Sequence, residues 1–241
     1  MIVPFSYSII DDLIDDTLTN KIRKVYNIAP LVPGDAKTYI YNKEDEYNNM
    51  YRSSKFAITE KKNERDCFRY YEILGNKCIP LIENLKDCPD NTMTNIPKDL
   101  LIRLYENKDN ISSEDYNKRL DLLFHYCQEN LRTTKVVYKL LSDLNIKIKK
   151  KSKVLFLSGS IGYRNVNYTR ELLLYGLKKL YNKQIIDYPK VNVLYKDCEN
   201  LEKYVGKGFT YGGKIDDLEI DRTNIGDRIK SREFDLVIYG R

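Results

Sequence analysis

The chain has no tryptophan and only one histidine, His125, among its 241 residues. A single imidazole excludes metal centres built on several histidines, including the paired-histidine helices of zinc hydrolases. Cysteine is scarce as well: Cys67, Cys78, Cys88, Cys127 and Cys198 are odd in number, widely spaced and without a C-x-x-C pair. Buried reduced thiols are therefore expected in place of a disulfide framework or a cysteine zinc site. No apolar run approaches the roughly 18 residues of a membrane span. The first sixteen residues lack a basic lead and turn acidic where a signal peptide needs small side chains. These absences together predict a soluble, cytoplasmic protein with no membrane span.

What is present is sufficient for a core. Apolar residues make up 42% of the chain and charged residues 32%, which excludes wholesale disorder. The 41 basic and 35 acidic residues leave a net charge of +6, spread along the chain. Such a balance permits a polyanionic partner without demanding one.

Three stretches differ in texture. In residues 1–58, Pro30, Pro33 and Gly34 mark a loop, and two short strands, Thr38 to Tyr41 and Ser54 to Thr59, flank an acidic, tyrosine-rich helix. A helix over 66–75 follows, with Phe68, Tyr71 and Leu74 on one face, and Gly75-Asn76 stops it ahead of a buried strand over 78–82. Pro97 opens a further helix as a first-turn proline. Residues 112–144 form a helical pair, with Ser112 or Ser113 as the cap. The basic run 146–154 is the clearest boundary. Beyond it strand and helix alternate: a strand over 153–158, a helix over 168–181, strands over 184–187 and 234–240, and a helix over 224–231. That alternation predicts parallel sheets with helical crossovers. The fold class is α/β, with two domains over residues 1–147 and 148–241 and a helical segment between their sheets.

The segment from Glu64 to Pro80 carries the most chemistry. Arg69 and Glu72 lie three apart on one helix face. A guanidinium can fork onto phosphate oxygens, and a carboxylate can accept both hydrogens of a ribose diol, so the pair suits a diphosphate-ribose ligand. The competing reading is an ordinary surface ion pair.

The pattern R-x-x-E, a glycine turn and C-I-P resembles the donor-site segment of GT-B glycosyltransferases, in particular an exostosin-like family of bacteria and large DNA viruses. The likeness runs through Lys61 to Leu74, Asp87 to Thr94, Pro97-Lys98 and, upstream, Leu31 to Asp35. Lys153 to Gly159, Asp187 to Lys190, Tyr195, Gly206 to Thr210, Ile220 to Arg222 and Phe234 to Gly240 are similar to the family's other domain. The donor-like half leads, as in a circular permutation, and the chain stops just after a core strand. The resemblance implies two Rossmann-like, GT-B-like parallel-sheet units and a nucleotide-sugar as co-substrate, with no further cofactor and no metal. It implies that Arg69 holds the diphosphate, Glu72 the ribose, and Lys61 or Lys62 further phosphate charge, while Asp66 caps the helix. The implied partners are the nucleotide-sugar and a glycan or protein acceptor, with a homodimer as the candidate assembly. If the chain is viral, its compartment is the host cytoplasm.

Several other positions carry two readings. Ser158, Gly159 and Ser160 follow a strand and could cradle a phosphate through backbone N–H groups, or form a plain βα turn. Gly206-Lys207-Gly208 could contact phosphate or be a hairpin turn. Asp221 is the candidate catalytic carboxylate, or a helix cap. His125 reads as structural. The lysine run 147–153 lacks interleaved aromatics and reads as a linker, so nucleic acid is not an expected partner. The expected activity is transfer of a sugar from a nucleotide-sugar to a hydroxyl. The alternative is a catalytically inactive, glycosyltransferase-like binding or scaffold protein, motivated by Asn63-Glu64-Arg65 where the family has Gly-Gly-Trp and by Tyr70 where it has histidine.

Overall fold

A computed structural model describes residues 2–14, 17, 23–59, 65–159 and 162–240. The chain divides into two compact units, Pro4–Arg132 and Thr133–Arg241 with Met1–Val3. The helix over 133–143, grouped by sequence with the leading half, belongs to the second unit.

In the first unit, β1 (Tyr26–Ile28), β2 (Ser54–Thr59) and β3 (Ile79–Ile82) form a parallel sheet in the order β1-β2-β3. The register pairs Ile28 with Phe56 and Thr59 with Ile82. Parallel neighbours need a crossover. Helix α1 (Glu44–Arg52) supplies the first and α2 (Phe68–Gly75) the second. Helices α3 (Lys98–Glu106) and α4 (Ser113–Asn130) follow β3. Ser112 caps α4, its Oγ accepting the N–H of Asp115 at 3.1 Å. Pro97 is the residue before α3, one position earlier than expected.

One sequence expectation fails here, and one strand carries no expectation at all. Thr38 to Tyr41 is not a strand: a short 3₁₀ turn over Ala36–Thr38 leads into irregular backbone. The first strand is instead Tyr26–Ile28, an edge strand whose three residues are all exposed, so it has no burial pattern to read.

In the second unit, β4 (Val154–Ser158), β5 (Ile185–Tyr188) and β6 (Leu236–Gly240) form a parallel sheet in the order β5-β4-β6. Helix α5 (Thr133–Asp143) packs on α6 (Tyr168–Tyr181), which joins β4 to β5, and α7 (Ile225–Lys230) lies between β5 and β6. Leu155, Ile186 and Ile225 form one core layer, flanked by Ile220, Phe234 and Val237. The chain leaves β4 towards β5 and returns to β4's other side as β6, so the strand order reverses between the carboxyl ends of β4 and β6. Ligand crevices in open parallel sheets favour such points. The architecture is thus mixed α/β with two three-stranded parallel sheets, compatible with two Rossmann-like units.

Candidate functional site

In the first unit the carboxyl edge of the sheet carries the residues singled out by sequence. Helix α2 starts at Phe68, and its cap position is Cys67, which makes no side-chain capping bond. Asp66 therefore does not cap the helix. One of its oxygens accepts the backbone N–H of Tyr7 at 3.1 Å, tying the loop to the N-terminal segment. Lys61 and Lys62 lie outside the described residues.

Arg69 occupies the first turn of α2. Its Nη1 donates to the Tyr39 hydroxyl at 3.0 Å, and the guanidinium rests against the Tyr39 ring, 5.3 Å from its centroid. Partial burial works against the charge, but Tyr47, Tyr51 and Glu72 outweigh it and raise the pKa of the group.

Glu72 sits one turn further along. Its carboxylate is buried, at 8% exposure, and accepts the Tyr47 hydroxyl at 2.9 Å. Burial, and then Glu72, push the Tyr47 phenol well above its usual range. The two side chains share a helix face, but only Arg69 reaches solvent. Glu72 braces the aromatic wall formed by Tyr47 and Tyr51, whose rings meet edge-on at 5.1 Å.

In the second unit Ser158 ends β4, and its hydroxyl donates to the Pro189 carbonyl at 2.6 Å. The N–H of Gly159 reaches the Gly240 carbonyl at 3.4 Å across the point of strand reversal, and a side chain at Gly159 would meet nothing within 4 Å. Ser160 lies outside the described residues. Gly206 and Lys207 take left-handed conformations inside a 3₁₀ segment, Val205–Gly208, not a hairpin turn.

Asp221 does not cap α7; the cap position is Asn224, in a left-handed conformation. The exposed carboxylate of Asp221 accepts from the Thr223 hydroxyl and backbone N–H at 2.7 and 2.8 Å. These bonds hold its pKa below the ordinary carboxylate value, which weakens it as a base.

Sequence reasoning missed a charged network centred on the carboxyl end of β5. Asp187, fully buried, meets Lys178 at 3.0 Å, Arg222 at 2.9 Å and the Tyr195 hydroxyl at 2.6 Å, and accepts the N–H of Val191 at 3.1 Å. Lys190 bridges Asp197 and Asp217 at 2.8 and 2.6 Å. Burial alone would raise the pKa of Asp187, but Lys178, Tyr195 and Arg222 hold it below the usual value. Three cations and three carboxylates thus balance. The one sequence signal was a carboxylate at the third position of a buried strand. A second missed pair, Arg170 and Glu171, is buried in the first turn of α6, joined at 2.5 Å. Burial raises the pKa of Glu171, although Arg170 opposes the shift.

No family model, curated protein or solved structure matches the chain. Among the described residues, no helix is long and apolar enough to cross a membrane.

Proposed function

We propose that the chain is a GT-B-type glycosyltransferase that moves a sugar from a nucleotide-sugar to a hydroxyl acceptor. Arg69 is the observation that supports this reading. A half-buried guanidinium stands in the first turn of a helix, at the carboxyl edge of a parallel sheet, with only one of its N–H groups directed at a protein acceptor among the described residues. Helix N-termini and forked guanidinium donors both favour phosphate oxygens. Glu72 is buried and already accepts the Tyr47 hydroxyl, so diphosphate recognition carries the reading further than ribose recognition does.

Calorimetric titration with UDP and GDP tests this directly. Binding of one of them is expected, with a loss of about tenfold or more in Arg69→Ala, the scale of one charge-assisted contact. Absence of binding to either nucleotide, or an affinity unchanged in Arg69→Ala, overturns it.

A binding module without transfer chemistry is the second reading. It is favoured by Asp221, whose carboxylate is engaged by Thr223 and held below its usual pKa. Release or transfer of sugar from a nucleotide-sugar above background, followed by NMR, would eliminate it.

A further inference from the structure

We propose that Tyr39 and Arg69 form a two-residue phosphate clamp, in which the Tyr39 hydroxyl donates directly to the same anionic group as the guanidinium. The proposal deepens the reading of Arg69 given above and rests on it for the identity of the site. Its ligand class is a diphosphate.

Tyr39 follows a loop that is tightly fastened. The Thr38 hydroxyl has the carbonyls of Asp35 and Val32 as acceptors for its one hydrogen, at 2.8 and 3.1 Å, and accepts the N–H of Val32 at 3.0 Å. Asp35 caps the 3₁₀ turn by accepting the N–H of Lys37 at 3.0 Å. The ring is therefore delivered to Arg69 by a closed set of local bonds, so little ordering is left for a ligand to impose.

The direction of the Tyr39–Arg69 bond decides what remains available. Arg69 donates and the phenol oxygen accepts, because a guanidinium has donors only. The phenol keeps its own hydrogen, and among the described residues no acceptor takes it. Tyr39 is 41% exposed, so that hydrogen can turn outward. Accepting a bond from a cation polarises the O–H and makes it a better donor. The guanidinium lies 5.3 Å from the ring centroid and spends one N–H on the hydroxyl, and its other N–H groups have no protein acceptor among the described residues. Several donors, those of a guanidinium among them, then address one patch, which suits an anion with several acceptor oxygens. A phosphate group meets that demand.

The test is calorimetric titration of the full chain with inorganic pyrophosphate, UDP and GDP, comparing the wild type, Tyr39→Phe and Arg69→Ala. Tyr39→Phe keeps the ring on the guanidinium and removes only the hydroxyl. The expected result is that pyrophosphate binds the wild type, binds Tyr39→Phe about tenfold more weakly, the scale of one hydrogen bond to a charged group, and is not detectably bound by Arg69→Ala. Wild-type protein that ignores pyrophosphate, or Tyr39→Phe that binds it equally well, overturns the clamp. If UDP or GDP binds through Arg69 while Tyr39→Phe has no effect, the nucleotide reading stands and the clamp falls. If pyrophosphate binding depends on both residues while neither nucleotide binds, the clamp stands and the nucleotide-sugar reading falls.

Discussion

The two sheets end differently at their carboxyl edges. At the carboxyl end of β5 in the second unit, Asp187 is enclosed by Lys178, Arg222, Tyr195 and a backbone N–H, and the neighbouring Lys190 holds two more carboxylates. Beyond β2 of the first unit, Arg69 donates to a single tyrosine hydroxyl among the described residues and remains partly open. An ion cluster whose charges balance is saturated in charge and fixes a loop, whereas a cation with unused donors can take a ligand. Charge density alone does not mark a site; a partly open cation with unused donors is the better guide. In the first unit the saturated cation sits at the other end of the sheet. There Lys24 donates to the carbonyls of Arg52, Ser54 and Lys77 at 2.8, 2.9 and 2.5 Å, joining the ends of α1 and α2 to the start of β2.

The sharpest way to break this contrast is to unbalance the saturated cluster. Asp187→Ala leaves the buried Lys178 and the half-buried Arg222 without their shared carboxylate, and the expected cost is about 3–5 kcal/mol, read as a lower urea midpoint for the second unit. The same group gives an acid signature. Its folded pKa lies below 3.8, so its contribution is present above the unfolded value and is lost as pH falls through the folded one. Unfolding by acid below about pH 4 should therefore be steeper in the wild type than in Asp187→Ala.

Beneath the differing edges the two units share one packing device, a helix glycine pressed by a neighbouring segment. A methyl group at Gly176 of α6 would lie 2.5 Å from Val137 Cγ2 and 3.1 Å from the Thr133 carbonyl oxygen. At Gly75 of α2 it would lie 2.7 Å from Ile9 Cγ2 and from Leu13 Cδ2. Overpacking of this kind costs about 1–3 kcal/mol. Gly176→Ala should fall near the upper end, since a backbone atom cannot rotate away, and Gly75→Ala lower, since Leu13 can change rotamer. Chemical denaturation of the two variants checks the ranking.

These elements also show what could be read from the sequence. Strand β4 and helix α6 were legible because continuous apolar runs and helical spacing survive into a buried strand and its covering helix. Strand β1 was not, since its exposed residues carry no alternation. Tyr39 and Ile40 read as a strand because they are apolar, yet Ile40 is 68% exposed and belongs to none. At the site, helical spacing correctly placed Arg69 and Glu72 on one face. It could not show that Tyr47, from a different helix, would bury and occupy Glu72. The Asp187 cluster draws on positions from 178 to 222, so only the folded chain brings it together.

Lys24 offers a gentler probe, aimed at the opposite edge of the first sheet. Burial pulls its amine from 10.5 to about 8. A base with a depressed folded pKa penalises folding while it must be charged, and the penalty is relieved as pH rises from the folded towards the unfolded value. The buried tyrosines act the other way. Tyr47 and Tyr71 have phenols raised by burial, so their contribution is lost once the unfolded chain ionises above pH 10. Between about pH 8 and 10, the stability of the wild type should therefore rise relative to Lys24→Met, by at most about 2 kcal/mol. A flat difference would mean that the three carbonyls hold the amine fully charged across that range.

The smallest structural effect is expected at a residue whose hydroxyl carries binding. Tyr39→Phe removes a hydroxyl that is exposed and accepts one bond, from a side chain that keeps its contact with the ring. Surface changes of this kind stay within about 0.5 kcal/mol, so its thermal midpoint should match the wild type. Asp187→Ala is its mirror image: unfolding is affected strongly, and any ligand at the first unit's edge should be untouched while that unit stays folded. Measuring stability and pyrophosphate affinity on both variants gives four numbers that separate the two kinds of edge. If Tyr39→Phe instead loses several kcal/mol of stability, the Tyr39–Arg69 bond holds the fold in the way the Asp187 cluster does, and the contrast between an open edge and a saturated one disappears.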